Sequence, residues 1–149
     1  MSYSKNQYSA YGMASETVSK TRQVVMLYEG IIKFVMKARS AIEEKRIEDR
    51  FNNLQRACKI ILGLQAGLDF ENGGEIAHIL NNFYTTMDLR VLALNQSNSL
   101  DECDNIIEDF KKMRDAWEEV NNTTEGGEDI PIPSKESLTG SQETVAVSI

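Results

Sequence analysis

The chain has one histidine, His78, three residues after Glu75. A Glu-x-x-His pair at that spacing puts both side chains on one helix face, as in di-iron carboxylate bundles. Such a centre needs two of these motifs and two more inward glutamates, and a single histidine cannot supply the second motif. His78 therefore reads as a residue at the rim of a helix. Gly73-Gly74 ahead of a helical stretch could offer free N–H groups to a phosphate. No P-loop Lys-Ser/Thr follows, so the pair reads as a helix–helix turn. Cys58 and Cys103 are far apart and form no C-x-x-C motif, which predicts two buried thiols in a reducing cytoplasm. Glu43, Glu44, Glu48, Asp49, Glu108 and Asp109 read as solvated faces. No serine or threonine stands in a recognisable nucleophile elbow. These residues predict no enzyme, no cofactor and no metal.

Composition narrows the class further. The 149 residues are 41% hydrophobic and 26% charged, the balance of one globular domain with a core of its own. The net charge of −7 opposes phosphate, so nucleic acid is not an expected partner. Basic residues are scattered, mostly between Lys33 and Lys59, with no aromatic interleaving. The first residues, Met-Ser-Tyr-Ser-Lys-Asn-Gln, hold no apolar h-region, so no signal peptide is expected. The most apolar stretch, Val24 to Met36, is interrupted by Glu29 and Lys33, and no membrane insertion is expected.

Four stretches carry helical periodicity. The first runs from about Lys20 to Lys45, with a main stripe of Val24, Leu27/Tyr28, Ile31, Phe34/Val35, Ala38 and Ile42. The second runs from about Ile47 to Leu68, along Phe51, Leu54, Cys58, Ile61, Gln65 and Leu68. Asp69 to Gly74 marks its stop and a turn. The third covers about Gly74 to Gln96, through Ile76, Leu80, Phe83/Tyr84, Met87, Val91 and Leu94. The fourth opens on a capping box, Ser99-Leu100-Asp101-Glu102, and continues along Cys103, Ile106, Phe110, Met113, Trp117 and Val120. Helices of this length with short connections alternate in direction. The expected fold is all-α, an antiparallel up-down four-helix bundle over residues 20–120. Residues 1–19 are expected to be a flexible segment with Tyr3, Tyr8 and Tyr11. Residues 121–149, with both prolines and five acids against one lysine, are expected to be a disordered acidic tail.

The apolar content exceeds one stripe per helix. Val25, Ile32 and Met36 form a second line on the first helix, about 100° from the main one. Ala57, Ile60 and Leu64 do so on the second, and the third is apolar almost all round after Met87, at Leu89, Val91, Leu92, Ala93 and Leu94. The surplus either widens the core or lines grooves that receive an amphipathic segment of a partner. A structural or signalling bundle that seals the surplus in a homodimer seam is the alternative.

Several elements resemble the FliS family of flagellin export chaperones. Leu27-Tyr28-Glu29-Gly30 is similar to the family's LYDG element. Gly73-Gly74-Glu75-Ile76-Ala77, with Leu80 and Tyr84, resembles its GGEIA element. Asn95 stands at the family's Ala-Asn pair, and Ala116-Trp117 at its terminal Ala-Trp. The resemblance spans about Tyr8 to Val120 in one order and departs at Ser19-Lys20, Gln23 and Leu94. It implies a cytoplasmic helical bundle that binds the disordered C-terminal segment of flagellin, blocks its premature polymerisation and carries it to the cytoplasmic domain of the export gate protein FlhA. Joined to the surplus apolar lines, it makes Val25, Ile32, Met36, Ile60, Leu64, Ile79, Leu89 and Leu92 the candidate flagellin-binding residues. Asn95 is expected either to cap the third helix or to bond a partner's backbone. Tyr8 and Tyr11 correspond by position to the family's export-gate docking residues. A FliW-like protein or the anti-sigma factor would be further partners in such a family.

Overall fold

Ser19 opens the first helix. Its Oγ accepts a hydrogen bond from the Arg22 backbone N–H at 3.1 Å, which satisfies one of the donors a helix start leaves free. A computed structural model describes residues 19–123. They form four helices: α1 (Lys20–Glu43), α2 (Ile47–Ala66), α3 (Phe70–Ser97) and α4 (Leu100–Thr123). Among the described residues there is no strand. The connections are two or three residues long, so neighbours run antiparallel. The expectations for residues 1–18 and 124–149 lie outside the described residues.

The helices stand in a ring. α1 packs extensively on α2 and α4, α2 on α3, and α3 meets α4 more sparsely. The centre is filled by Tyr28, Ile31, Leu54, Ile61, Phe83, Tyr84, Met87, Leu94, Ile106, Phe110 and Met113. On α3 and α4 these follow the periodic lines read from the sequence. On α1 they do so in part: Tyr28, Ile31, Val35 and Ala38 of the main line are buried, but so are Val25, Ile32 and Ala41 beside it, while Val24 and Phe34 are half-buried and Leu27 is exposed. A helix with two full neighbours buries an arc wider than one stripe, and here that arc is centred on Tyr28. The second line of α1 therefore largely joins the core. The same holds on α2, where Ala57 and Leu64 are buried and Phe51 is half exposed.

Two helix starts differ from the sequence reading. Asp69 to Gly74 is a helical turn instead of a loop. The Asp69 carboxylate accepts from the backbone N–H groups of Glu71 and Asn72, both at 3.1 Å, and so nucleates α3 four residues early. The backbone N–H of Asn72, then its side-chain amide, hold this carboxyl below its ordinary pKa. At Gly74 the backbone takes φ 55° and ψ −135°, which kinks α3. A side chain there is strained, whereas glycine visits the region freely. Ser99 caps α4 as expected, its Oγ accepting from the Glu102 N–H at 3.1 Å. Glu102 does not reach back to close the box, because its carboxylate is taken by Arg90.

Asp109, read as solvated, is 1% exposed. It accepts from Arg90 Nη1 at 2.7 Å, and Arg90 also binds Glu102. Burial lowers the guanidinium's pKa, and the bonds to Glu102 and Asp109 outweigh this, so the net direction is up. A charge on the edge of the apolar stripe of α4 is tolerated because α3 delivers its counter-ion. The pair also ties together the sparsest helix–helix contact in the ring.

Candidate functional site

Tyr28 Oη and Tyr84 Oη lie 2.6 Å apart in the core, and Trp117 Nε1 donates to Tyr28 Oη at 3.2 Å. Three helices thus converge on one buried hydroxyl, with the rings of Tyr28, Tyr84, Phe83 and Phe110 packed edge to face or tilted. Burial raises both tyrosine pKa values well above the ordinary one. This cluster closes the inner side of a cleft of about 720 Å³ at one end of the bundle. Val24 and Leu27 of α1, Leu64 and Leu68 near the end of α2, and Gly73 and Leu80 of α3 line it. A Cβ on Gly73 would come within 2.8 Å of the Ala77 Cβ, so the close turn over this cleft requires glycine.

A second feature runs along the outer side of α2 and α3. The two helices are joined by Arg50 Nη1 to Asn98 Oδ1 at 2.7 Å, by Cys58 Sγ to the Asp88 carbonyl at 4.0 Å, and by Gln65 Nε2 to Asn81 Oδ1 at 2.9 Å. Between the first two of these rungs stand Leu89, 63% exposed, and Leu92, 46% exposed. Phe51 and Leu62, each 50% exposed, are on the α2 side. The shielded Oδ1 atoms of Asp88 and Asn95 have no protein hydrogen-bond partner. Oily side chains beside free acceptors form a surface suited to a segment that brings both apolar side chains and N–H groups. On α1, Met36 is 47% exposed and shares a shallow groove of about 370 Å³ with Ile32, Lys33 and Lys37.

The candidate binding residues therefore separate. Met36, Leu89 and Leu92 are on the surface, and Ile60 and Ile79 are half-buried against the core. Val25 is fully buried, Ile32 forms the floor of the α1 groove, and Leu64 is a buried wall of the end cleft. Val25 is thus core, not groove, for the reason given by the burial arc of α1. Asn95 does not cap α3. Asn98 does, in the left-handed conformation at φ 51°, with its N–H bonded to the Leu94 carbonyl. Tyr8 and Tyr11 lie outside the described residues. Phe51, Leu62 and Met26 were missed as surface residues, because a stripe reading places Phe51 inward and leaves isolated apolar residues unexplained. His78 sits exposed with its ring against Phe70, centroids 5.1 Å apart, and no group of ligands that could hold a metal occurs among the described residues.

The class is an all-α antiparallel four-helix bundle with an apolar outer face. The comparison with known proteins specifies it. The model of the family "Flagellar protein FliS" matches residues 4–124, and the chain belongs to that family. It is similar to the flagellar secretion chaperone FliS of Campylobacter jejuni, 36% identical over 117 residues that cover 77% of this chain and 91% of the relative. The Bacillus subtilis chaperone of the same name is 32% identical over 78% of this chain and 86% of its own length. That of Salmonella typhimurium is 29% identical over 79% and 92%. The chain is a flagellar export chaperone of the FliS type. Among its described residues, no helix is long and apolar enough to cross a membrane.

Proposed function

We propose that this protein works in the cytoplasm by binding the C-terminal segment of flagellin, keeping it from polymerising early and delivering it to the export gate protein FlhA. The carrying observation is the α2–α3 face, where Leu89 and Leu92 stand exposed beside the unpartnered acceptor of Asn95. An amphipathic client segment buries its apolar side against those leucines, and its polar groups meet Asn95. The client orders only on binding, and that cost keeps the complex releasable. Met36 and Ile32 offer a second stretch on α1, and Ile60 and Ile79 flank the core. Tyr8 and Tyr11 are assigned to docking at the gate. No catalytic step is part of this reading.

Isothermal titration calorimetry with a peptide of the flagellin C-terminal region tests it. The expected outcome is one-to-one binding with a negative heat-capacity change, the mark of apolar burial. No heat at tens of micromolar, or a protein that light scattering shows to be a permanent pair unaffected by the peptide, overturns it.

A further inference from the structure

The cations between Lys33 and Lys59 look scattered in the sequence, but the fold sorts them. Arg39 pairs with Glu43 and Asp104, and Arg46 with Glu44 and Asp49. Arg50 is bonded to Asn98. Among the described residues, Lys33, Lys37, Lys45, Arg56 and Lys59 form no ion pair. Lys45 stands in the turn between the two helices, and the other four are exposed on α1 and α2. Lys37 Nζ and Arg56 Cζ lie 5.8 and 5.9 Å from the centre of the half-buried Phe34 ring. Gly30 and Ile60 meet one turn away, close enough that a Cβ on Gly30 would be 3.2 Å from Ile60 Cδ1. Lys33 directly precedes Phe34 and Lys59 directly precedes Ile60, so the four cations border one apolar line. Glu29 lines the α1 groove together with Lys33 and Lys37. A chain of net charge −7 thus keeps four cations without an ion pair beside one apolar line, with the single acid Glu29 in the groove of two of them.

We propose that this strip is the docking site of the chain's own acidic segment, residues 128–143. The segment carries Glu128, Asp129, Glu136 and Glu143 against Lys135, and its Ile130 and Ile132 suit the Phe34–Ile60 line. It lies beyond the family match, which ends at residue 124. Its starting point fits. The end of α4 adjoins the start of α1, where Ser19 Oγ donates to Asn121 Oδ1 at 2.8 Å. Lys33 stands about 20 Å along α1 from Lys20 at the helical rise. An extended chain covers about 3.3 Å per residue, so Asp129 reaches Lys33 when taut, and Glu136 and Glu143 reach the strip with slack. An acidic segment of another protein is disfavoured, because the net charge of this chain repels it at range. A tethered one is already present at an effective concentration on the order of millimolar. Docked there, the segment covers Phe34 and neutralises the strip. This inference is independent of which client the chaperone carries.

Zero-length carbodiimide crosslinking of the full-length protein, followed by peptide mass spectrometry of the monomer, tests it. Amide links from Glu128, Asp129, Glu136 or Glu143 to Lys33, Lys37 or Lys59 are expected. Their yield should fall about fivefold or more in 1 M salt, where charges are screened beyond about 3 Å. It should fall likewise in Lys33→Glu/Lys37→Glu, whose circular dichroism should match that of the parent. Reversing the tail in the same variant, Glu128→Lys/Asp129→Lys/Glu136→Lys, should restore proximity, read by a spin label at Ser134→Cys that broadens the amides of residues 33–37. Links spread evenly to Lys20, Lys45, Lys111 and Lys112, links only between chains, or no links from the tail would each overturn the proposal.

Discussion

Tyr28 accepts from Trp117 and shares a proton with Tyr84, so two other side chains rely on its one oxygen. Tyr28→Phe strands the Trp117 N–H and the Tyr84 hydroxyl together, at a cost of about 2–4 kcal/mol. Tyr84→Phe breaks one bond and leaves Tyr28 a partner, at about 1 kcal/mol. Urea denaturation should return that ranking, and equal losses would contradict the network. The cysteines give a second prediction. Burial, then the nearby Asp88, pushes the Cys58 thiol up to about 12, and burial pushes Cys103 up to about 11. In the unfolded chain a thiol ionises near pH 8.5. The folded state keeps both protons, so their contribution to stability is whole below about pH 8.5 and declines as pH rises towards 11. Native protein at pH 8 should react with Ellman's reagent far more slowly than unfolded protein, which should yield two thiols per chain.

At the scale of the helix, α3 is where position in the chain and position in the fold diverge. Gly74 divides the four residues capped by Asp69 from the long run that packs on α2. Nothing lies within 4 Å of a Cβ built on Gly74, so its φ alone forbids a side chain. Gly74→Ala should destabilise the protein by about 1–3 kcal/mol, the cost of holding an L-residue in a backbone region that essentially only glycine occupies. Gly73→Ala meets the Ala77 Cβ instead, and should shift the first turn of α3 and the mouth of the end cleft. Thermal melts separate the two, since the Gly73 variant alone should also change the near-ultraviolet signal of Trp117, which lines that cleft.

For the whole molecule, the test of the outer face is a double substitution. Leu89→Ser/Leu92→Ser removes exposed apolar surface and fills no core position. The melting midpoint should stay within about 3 °C, because surface changes away from packing cost about 0.5 kcal/mol or less. Affinity for the flagellin peptide should fall by about tenfold or more, as two buried leucines account for at least about 1.4 kcal/mol. An unchanged affinity would move the client elsewhere, with the Met36 groove on α1 the next place to test.

The number of helices, their order and the inward lines of α3 and α4 were legible in the residues, because a period of 3–4 over twenty positions has one geometric meaning. So was the family, through elements around Tyr28, Gly73-Gly74 and Ala116-Trp117 that keep their mutual spacing. The division of the surplus was not. Whether Val25 or Met36 faces out depends on how far two neighbouring helices wrap round α1, and Phe51 is exposed because Ala57 and Leu64 take its place inside. Asp109 looked like any charge on a wet face until Arg90 met it from another helix. Local periodicity dictates that a face is apolar. Only the packing of distant segments decides how wide that face must be, which charges find partners and which are left over.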